Sequence, residues 1–241
     1  NHAYGLLLRR RGCFKESEPY FRTAIRRLTG NGMFNNPYDG EAFYNLGLSL
    51  FYQERYDEAF DAFYKATWTN EQQEMSFYYL ALIALRRGDT EEALELAEKG
   101  LVKNLHNVKA RGLKAVILEK LGRIDEALAW IEDNIYLDYF DYVSRFEKYF
   151  LSGCADEEIG QIRALNKHFH ETYLQVARDF AEGGQYDKAI AVLDTCDGDS
   201  PLIHYYKGYY LRKQGNEDEA MKAYTDGETS DPSYCFPNKP E

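Results

Sequence analysis

The chain has 241 residues, with 29 Lys and Arg against 40 Asp and Glu, for a net charge of −11 at neutral pH. This length supports one or two domains with a sizeable core and no covalent staples, and an apolar fraction of 44% without a long apolar run argues against a disordered chain and a membrane-spanning helix. The acidic balance argues against nucleic acid and anionic membranes as partners.

Only 6 Pro and evenly spread helix formers point to a mostly helical chain. Along it, five marks recur: a small residue, Gly seven later, a small residue at twelve, a bulky one at sixteen and a small one at nineteen. Gly5, Gly12, Ser17, Phe21 and Ala24 open the series, followed by Gly47, Glu54, Ala59, Phe63 and Ala66, then Ala81, Gly88, Ala93, Ala97 and Gly100. The remaining sets are Ala115, Gly122, Ala127, Ile131 and Asn134; Ala177, Gly184, Ala189, Leu193 and Cys196; and Gly208, Gly215, Ala220, Tyr224 and Gly227. First marks lie 42, 34, 34, 62 and 31 residues apart. The small marks let two helices approach closely, and the Gly closes the first helix of each pair in a left-handed turn. Basic residues before that Gly and acidic residues after it complement the helix dipoles.

A 34-residue period with this pattern resembles the tetratricopeptide repeat (TPR), best at residues 41–66, and the resemblance covers nearly the whole chain. It implies an all-α fold, an α-α superhelix or TPR solenoid of about six recognisable repeats plus one degenerate helical pair. The expected array is single: repeats at 1–31, 40–73, 74–107 and 108–141, a degenerate pair at 142–169, repeats at 170–200 and 201–234, and a tail at 235–241. The first step carries about eight extra residues within 29–40, a turn-rich loop from which Pro37 and Asp39 launch the helix near Glu41. The 62-residue step reads as one 34-residue unit plus 28, with degenerate helices at 142–151 and 156–167 broken at Ser152 and Gly153. Asn1 falls inside its first helix, and no polar capping helix follows Pro232, so a segment of a longer array or larger protein is expected. Residues 231–238 (DPSYCFPN) are similar to a stretch of large bacterial proteins that join a β-rich domain of unknown function to TPRs.

Chemistry is absent from the pattern. No nucleophile elbow, phosphate loop, dinucleotide fingerprint or zinc-protease motif occurs. His168 and His170, two apart on a helix, point away from each other and cannot share a metal. Cys13, Cys154, Cys196 and Cys235 lack metal or disulfide spacing and are expected as buried small hydrophobes in a reducing, cytoplasmic setting. No catalytic residue, cofactor or metal is expected, and the chain is not expected to be an enzyme.

Carrying the family's concave positions over residue by residue places the expected contacts to a protein or peptide partner at Arg9, Arg10, Tyr44, Asn45, Tyr52, Tyr78, Arg86, Lys109, Lys120, Arg178, Tyr205, Tyr209 and Arg212. Tyr and Arg suit such contacts because they join a large area to a polar tip. Phe43, Phe63, Trp68 and Phe77 are expected to pack between helices. The carboxylate clamp of chaperone-binding TPRs is missing, because Tyr44, Leu48 and Tyr78 stand in its places and Asn45 alone matches. The first 30 residues carry seven basic and two acidic side chains, a basic end suited to an acidic partner. Two alternatives accompany the interaction scaffold. One is a structural arm of a larger, carbohydrate-related enzyme, and the other is a homo-oligomer stacked through uncapped end repeats.

Overall fold

A computed structural model describes residues 1–30, 39–167, 169–198, 200–233 and 235. Among these the secondary structure is helical throughout, and no helix is long and apolar enough to cross a membrane. The chain divides into two compact units, one of residues 1–110 and a second from Arg111 onward.

The first unit holds α1 (His2–Arg10), α2 (Phe14–Leu28), α3 (Glu41–Phe51), α4 (Tyr56–Ala66), α5 (Asn70–Arg87) and α6 (Thr90–Lys103). The division falls inside α7 (Val108–Lys120). The second unit continues with α8 (Ile124–Leu137), α9 (Tyr142–Leu151), α10 (Asp156–Asn166), α11 (His170–Glu182), α12 (Tyr186–Asp194), α13 (Pro201–Lys213) and α14 (Glu217–Thr229). Consecutive helices pair as hairpins, seven in all among the described residues, which matches six repeats and one degenerate pair.

The marks do the packing. Every third mark, Ser17, Ala59, Ala93, Ala127, Ala189 and Ala220, is fully buried. First and fourth marks obey a size rule: a Cβ added to Gly5 would lie 2.8 Å from the Phe21 ring, to Gly47 2.7 Å from Phe63, and to Gly208 2.6 Å from Tyr224. Those rings lie directly on glycine backbone. Where the first mark is Ala81, Ala115 or Ala177, the fourth is Ala97, Ile131 or Leu193, and no ring intrudes. The second mark closes each first helix as expected, with Gly12, Gly88, Gly122, Gly184 and Gly215 at φ between 72° and 85°. Glu54 holds the same conformation at φ 61°, a strain of about 1–2 kcal/mol for a residue with a Cβ.

Charges flanking the turns also link successive hairpins. Arg87, at the end of α5, donates to Asp57 at the start of α4 at 2.5 Å, and Gln214 after α13 donates to Asp187 of α12 at 2.5 Å. Arg55, just before α4, bridges Glu58 of α4 (2.7 Å) and Glu18 of α2 (2.5 Å). Macrodipole complementarity is therefore only part of what these charges do.

In the pair α9/α10, Gly153 N donates to Phe150 O and Cys154 N to Tyr149 O, repeating the pattern of Gly12 to Arg9 and Cys13 to Leu8. Gly153 is thus its second mark and Phe146 its first, 31 residues from Ala115 and 31 from Ala177. Across the 62-residue step the turn glycines Gly122, Gly153 and Gly184 are therefore 31 residues apart, while the helix starts Val108, Tyr142 and His170 are 34 and 28 apart. The fourth mark of the pair, Ile162, is bulky and buried as the pattern requires, but the third and fifth, Glu158 and Leu165, are too large for the signature.

Polar contacts take over there. Arg111 Nε donates to Asn134 Oδ1 (2.7 Å), Asn134 Nδ2 to Ser144 Oγ (2.8 Å) and Ser144 Oγ to Asp141 Oδ2 (2.7 Å), a buried chain joining α7, α8 and α9. Lys188 of α12 places Nζ 2.8 Å from Glu119 of α7 and 2.7 Å from Glu147 of α9, beside the rings of Phe150 and Phe180. Burial pushes the Glu147 carboxyl above its ordinary value, against the pull of Lys188.

Three expectations need correction or fall outside the described residues. All four thiols are free, but none is fully buried and Cys154 is exposed, because each lies outside the helices, Cys196 included although it stands at a fifth mark. Trp68 lies just beyond α4 and is 45% exposed, with Lys65 Nζ 3.4 Å over its ring, whereas Phe43 and Phe63 pack inside. Asp39 Oδ1 accepts the Glu41 amide at 2.8 Å and starts α3 as expected, while Pro37, His168 and half of the 231–238 stretch lie outside the described residues.

Candidate partner-binding faces

In the first unit the inner positions of α3 and α5 meet in a continuous aromatic cluster. Its centre is Tyr79, which the concave pattern does not include. Tyr79 stacks on Phe63 (4.9 Å, 7° between planes), meets Phe51 (5.2 Å) and Tyr44 (6.2 Å) edge-on, and brings its hydroxyl 3.5 Å from that of Tyr52. Tyr52 also stacks on Phe14 at 5.1 Å, so one ring joins α2 to the wall. Offset and edge-on arrangements at these separations are the favoured ones for aromatic pairs, and they hold the wall rigid.

Cations lie over this wall. The Arg86 guanidinium sits 4.8 Å from the Tyr56 ring and 5.9 Å from Phe51, and Lys109 Nζ is 6.0 Å from Tyr78. Tyr44, Tyr52, Arg86 and Lys109 are partly exposed. Tyr78 is 2% exposed and Asn45 4%, so these two residues belong to the packing beneath the wall. Asn45 donates to the Glu41 carbonyl at 2.8 Å within α3. Arg10 is exposed on α1, and Arg9 has its Nε buried without a hydrogen-bond partner among the described residues.

The second unit distributes its positions differently. Tyr205 and Tyr209 project from α13, Tyr209 beneath Lys213 Nζ at 5.3 Å. Arg212 is exposed beside Glu217 at 3.6 Å, and Lys120 is exposed at the end of α7. Arg178 is held within its own helix, donating to Gln175 Oε1 at 2.6 Å and lying 3.9 Å from Glu182. Beneath them Tyr210 is buried, which drives its hydroxyl well above the ordinary phenol value. Among the described residues no group of three or more His, Cys, Asp or Glu could hold a metal.

Comparison with known families decides the assignment: Tetratricopeptide repeat profiles match residues 1–67, and again 78–133 and 174–234. The chain belongs to the tetratricopeptide repeat family. The TPR matches leave out 134–173, where α9 and α10 have lost the small marks. A tetratricopeptide repeat protein from Parabacteroides merdae has a similar structure, with a TM-score of 0.58 at 16% identity over 96% of this chain and 92% of that one. The C-terminal part of a TPR repeat-containing protein from Cytophaga hutchinsonii gives 0.56 at 16% identity, over 98% and 97%. Both likenesses concern the fold. TPR repeats generally mediate protein–protein interaction, and proteins of this fold are generally non-catalytic interaction modules.

Proposed function

We propose that this TPR protein is a non-catalytic scaffold that captures an acidic segment of a partner protein on the tyrosine-lined wall of its first unit. The observation that carries this reading is the placement of Arg86 and Lys109 over interlocked aromatic rings, on a chain whose net charge is −11. A cationic face persisting on an acidic protein selects carboxylates, and rings locked against one another lose little freedom on binding. Arg9 and Arg10 extend the same charge along the basic first 30 residues.

A peptide array of matched acidic, neutral and basic sequences, probed with the whole chain and with Arg86→Glu/Lys109→Glu, tests it. Acidic peptides retained by the native protein and lost by the variant, at unchanged helical circular dichroism, are expected. Equal retention by both proteins, or a preference for basic peptides, would overturn the reading. Tyr78 is unsuitable as a probe because its removal opens the core.

A further inference from the structure

A second surface lies where α8 turns into α9. Tyr136 is 88% exposed, Leu137 45%, and Tyr139 and Phe140 60% each, so four large apolar side chains from five consecutive residues face solvent. A cluster of this kind on a helical repeat marks an interaction site. The backbone beneath is fixed: Asp138 N donates to Asn134 O, Phe140 N to Asp138 Oδ1 at 2.9 Å, and buried Arg145 donates to Tyr139 O at 3.0 Å while lying 4.6 Å from that ring.

The first unit shows what such a position takes. Trp68 stands two residues past the fifth mark Ala66, as Tyr136 stands two past Asn134. Trp68 is covered by a cation of its own helix, Lys65 at 3.4 Å. At the place equivalent to Lys65, the second unit has Asp133. Residues 124–142 carry six carboxylates and no Lys, Arg or His. Glu132 and Asp133 are exposed one turn before Tyr136, Asp133 already paired with buried Arg111, and Arg145 is held by the Tyr139 carbonyl inside the turn.

We infer that the α8–α9 turn is a docking surface for a cationic, apolar segment of a partner protein. Its Arg or Lys side chains would lie over the Tyr136 ring and beside Glu132, and its apolar side chains against Leu137 and Phe140. Aromatic faces flanked by carboxylates bind cations through both the ring quadrupole and direct charge pairing. The inference is independent of the wall of the first unit.

Fluorescence anisotropy with the whole chain tests it, using a labelled synthetic peptide that alternates Arg with Leu and two controls, Glu in place of Arg and Ser in place of Leu. Tyr136→Ser/Phe140→Ser should weaken binding of the Arg/Leu peptide by about tenfold or more, the size of a lost aromatic hot spot, and Glu132→Lys by a smaller factor. Arg86→Glu/Lys109→Glu should leave it unchanged. Native affinity in the double Ser variant, or equal affinity for the Arg/Ser peptide, would reduce the effect to bulk charge attraction and overturn the proposal. Concentration-dependent dimers in sedimentation that vanish in the double Ser variant would instead assign the surface to a second copy, which also overturns it.

Discussion

The hairpins α3/α4 and α9/α10 use the same turn and different interiors. In the first, the Phe63 ring lies on the bare backbone of Gly47, and side chains from both helices close an apolar contact. In the second, Phe146 occupies the first mark, close approach is lost, and α9 is seated by buried hydrogen bonds and by Lys188 between two carboxylates. Helical pairing in this family therefore survives loss of its small residues when neighbouring hairpins supply polar anchors. The two solutions fail differently, because a buried ion depends on a specific partner and an apolar contact depends on volume.

The largest effect is expected at the polar anchor. Lys188→Met leaves Glu147 buried without its cation and should lower stability by about 3–5 kcal/mol. Adding Glu147→Leu should recover most of that loss in denaturant unfolding. A single variant as stable as the native protein would show that Lys188 does not anchor α9. Gly47→Leu, which drives a side chain into Phe63, should cost about 1–3 kcal/mol and be relieved by Phe63→Ala. Absence of relief would break the size rule.

Acidification should give the smallest effect and the clearest contrast. In the first unit, hydrogen bonds from Arg55 and Arg22 outweigh the partial burial of Glu18, and the Arg55 hydrogen bond acts on Glu58, so both carboxyls sit below their ordinary values. Their stabilisation is present above the unfolded-chain value and is lost as pH falls through the folded ones. In the second unit burial raises Glu147 and Asp141, so their contribution is full below the unfolded-chain value and is lost as pH rises through the folded ones. Between about pH 7 and pH 4, amide exchange should show α9 gaining protection relative to α2 and α4, whose own loss sets in only at lower pH. Equal changes in all three helices would remove the distinction.

Much of this was legible in the sequence, for identifiable reasons. Turn and packing marks depend on local volume and φ, which residue types encode directly, so the helix pairs and the break at Ser152 and Gly153 could be placed. The packing marks of α9/α10 are hard to read because Phe146 and Glu158 erase the small residues, although the helices lie at 142–151 and 156–166 on either side of the break at Ser152 and Gly153. Tyr78 and Asn45 were read as surface because the repeat specifies a helical face but not how deeply neighbours cover it. Tyr79 carried no signal of its own, since its importance comes from stacking on Phe63 across helices. The apolar turn could have been found by comparing the residue two past each fifth mark: Trp68, Val102 and Tyr136 are all exposed.

The contact between first and fourth marks also constrains how such a chain can change over generations. A glycine–ring hairpin such as Gly5/Phe21 and an alanine–aliphatic one such as Ala177/Leu193 differ by two substitutions. Shrinking the ring first leaves a gap, which a hairpin can tolerate until the glycine gains its methyl. Adding the methyl first produces a collision at once. The path between the two hairpin types therefore runs in one order and is reversed in the opposite order, so the history of each repeat is channelled by a single interatomic distance.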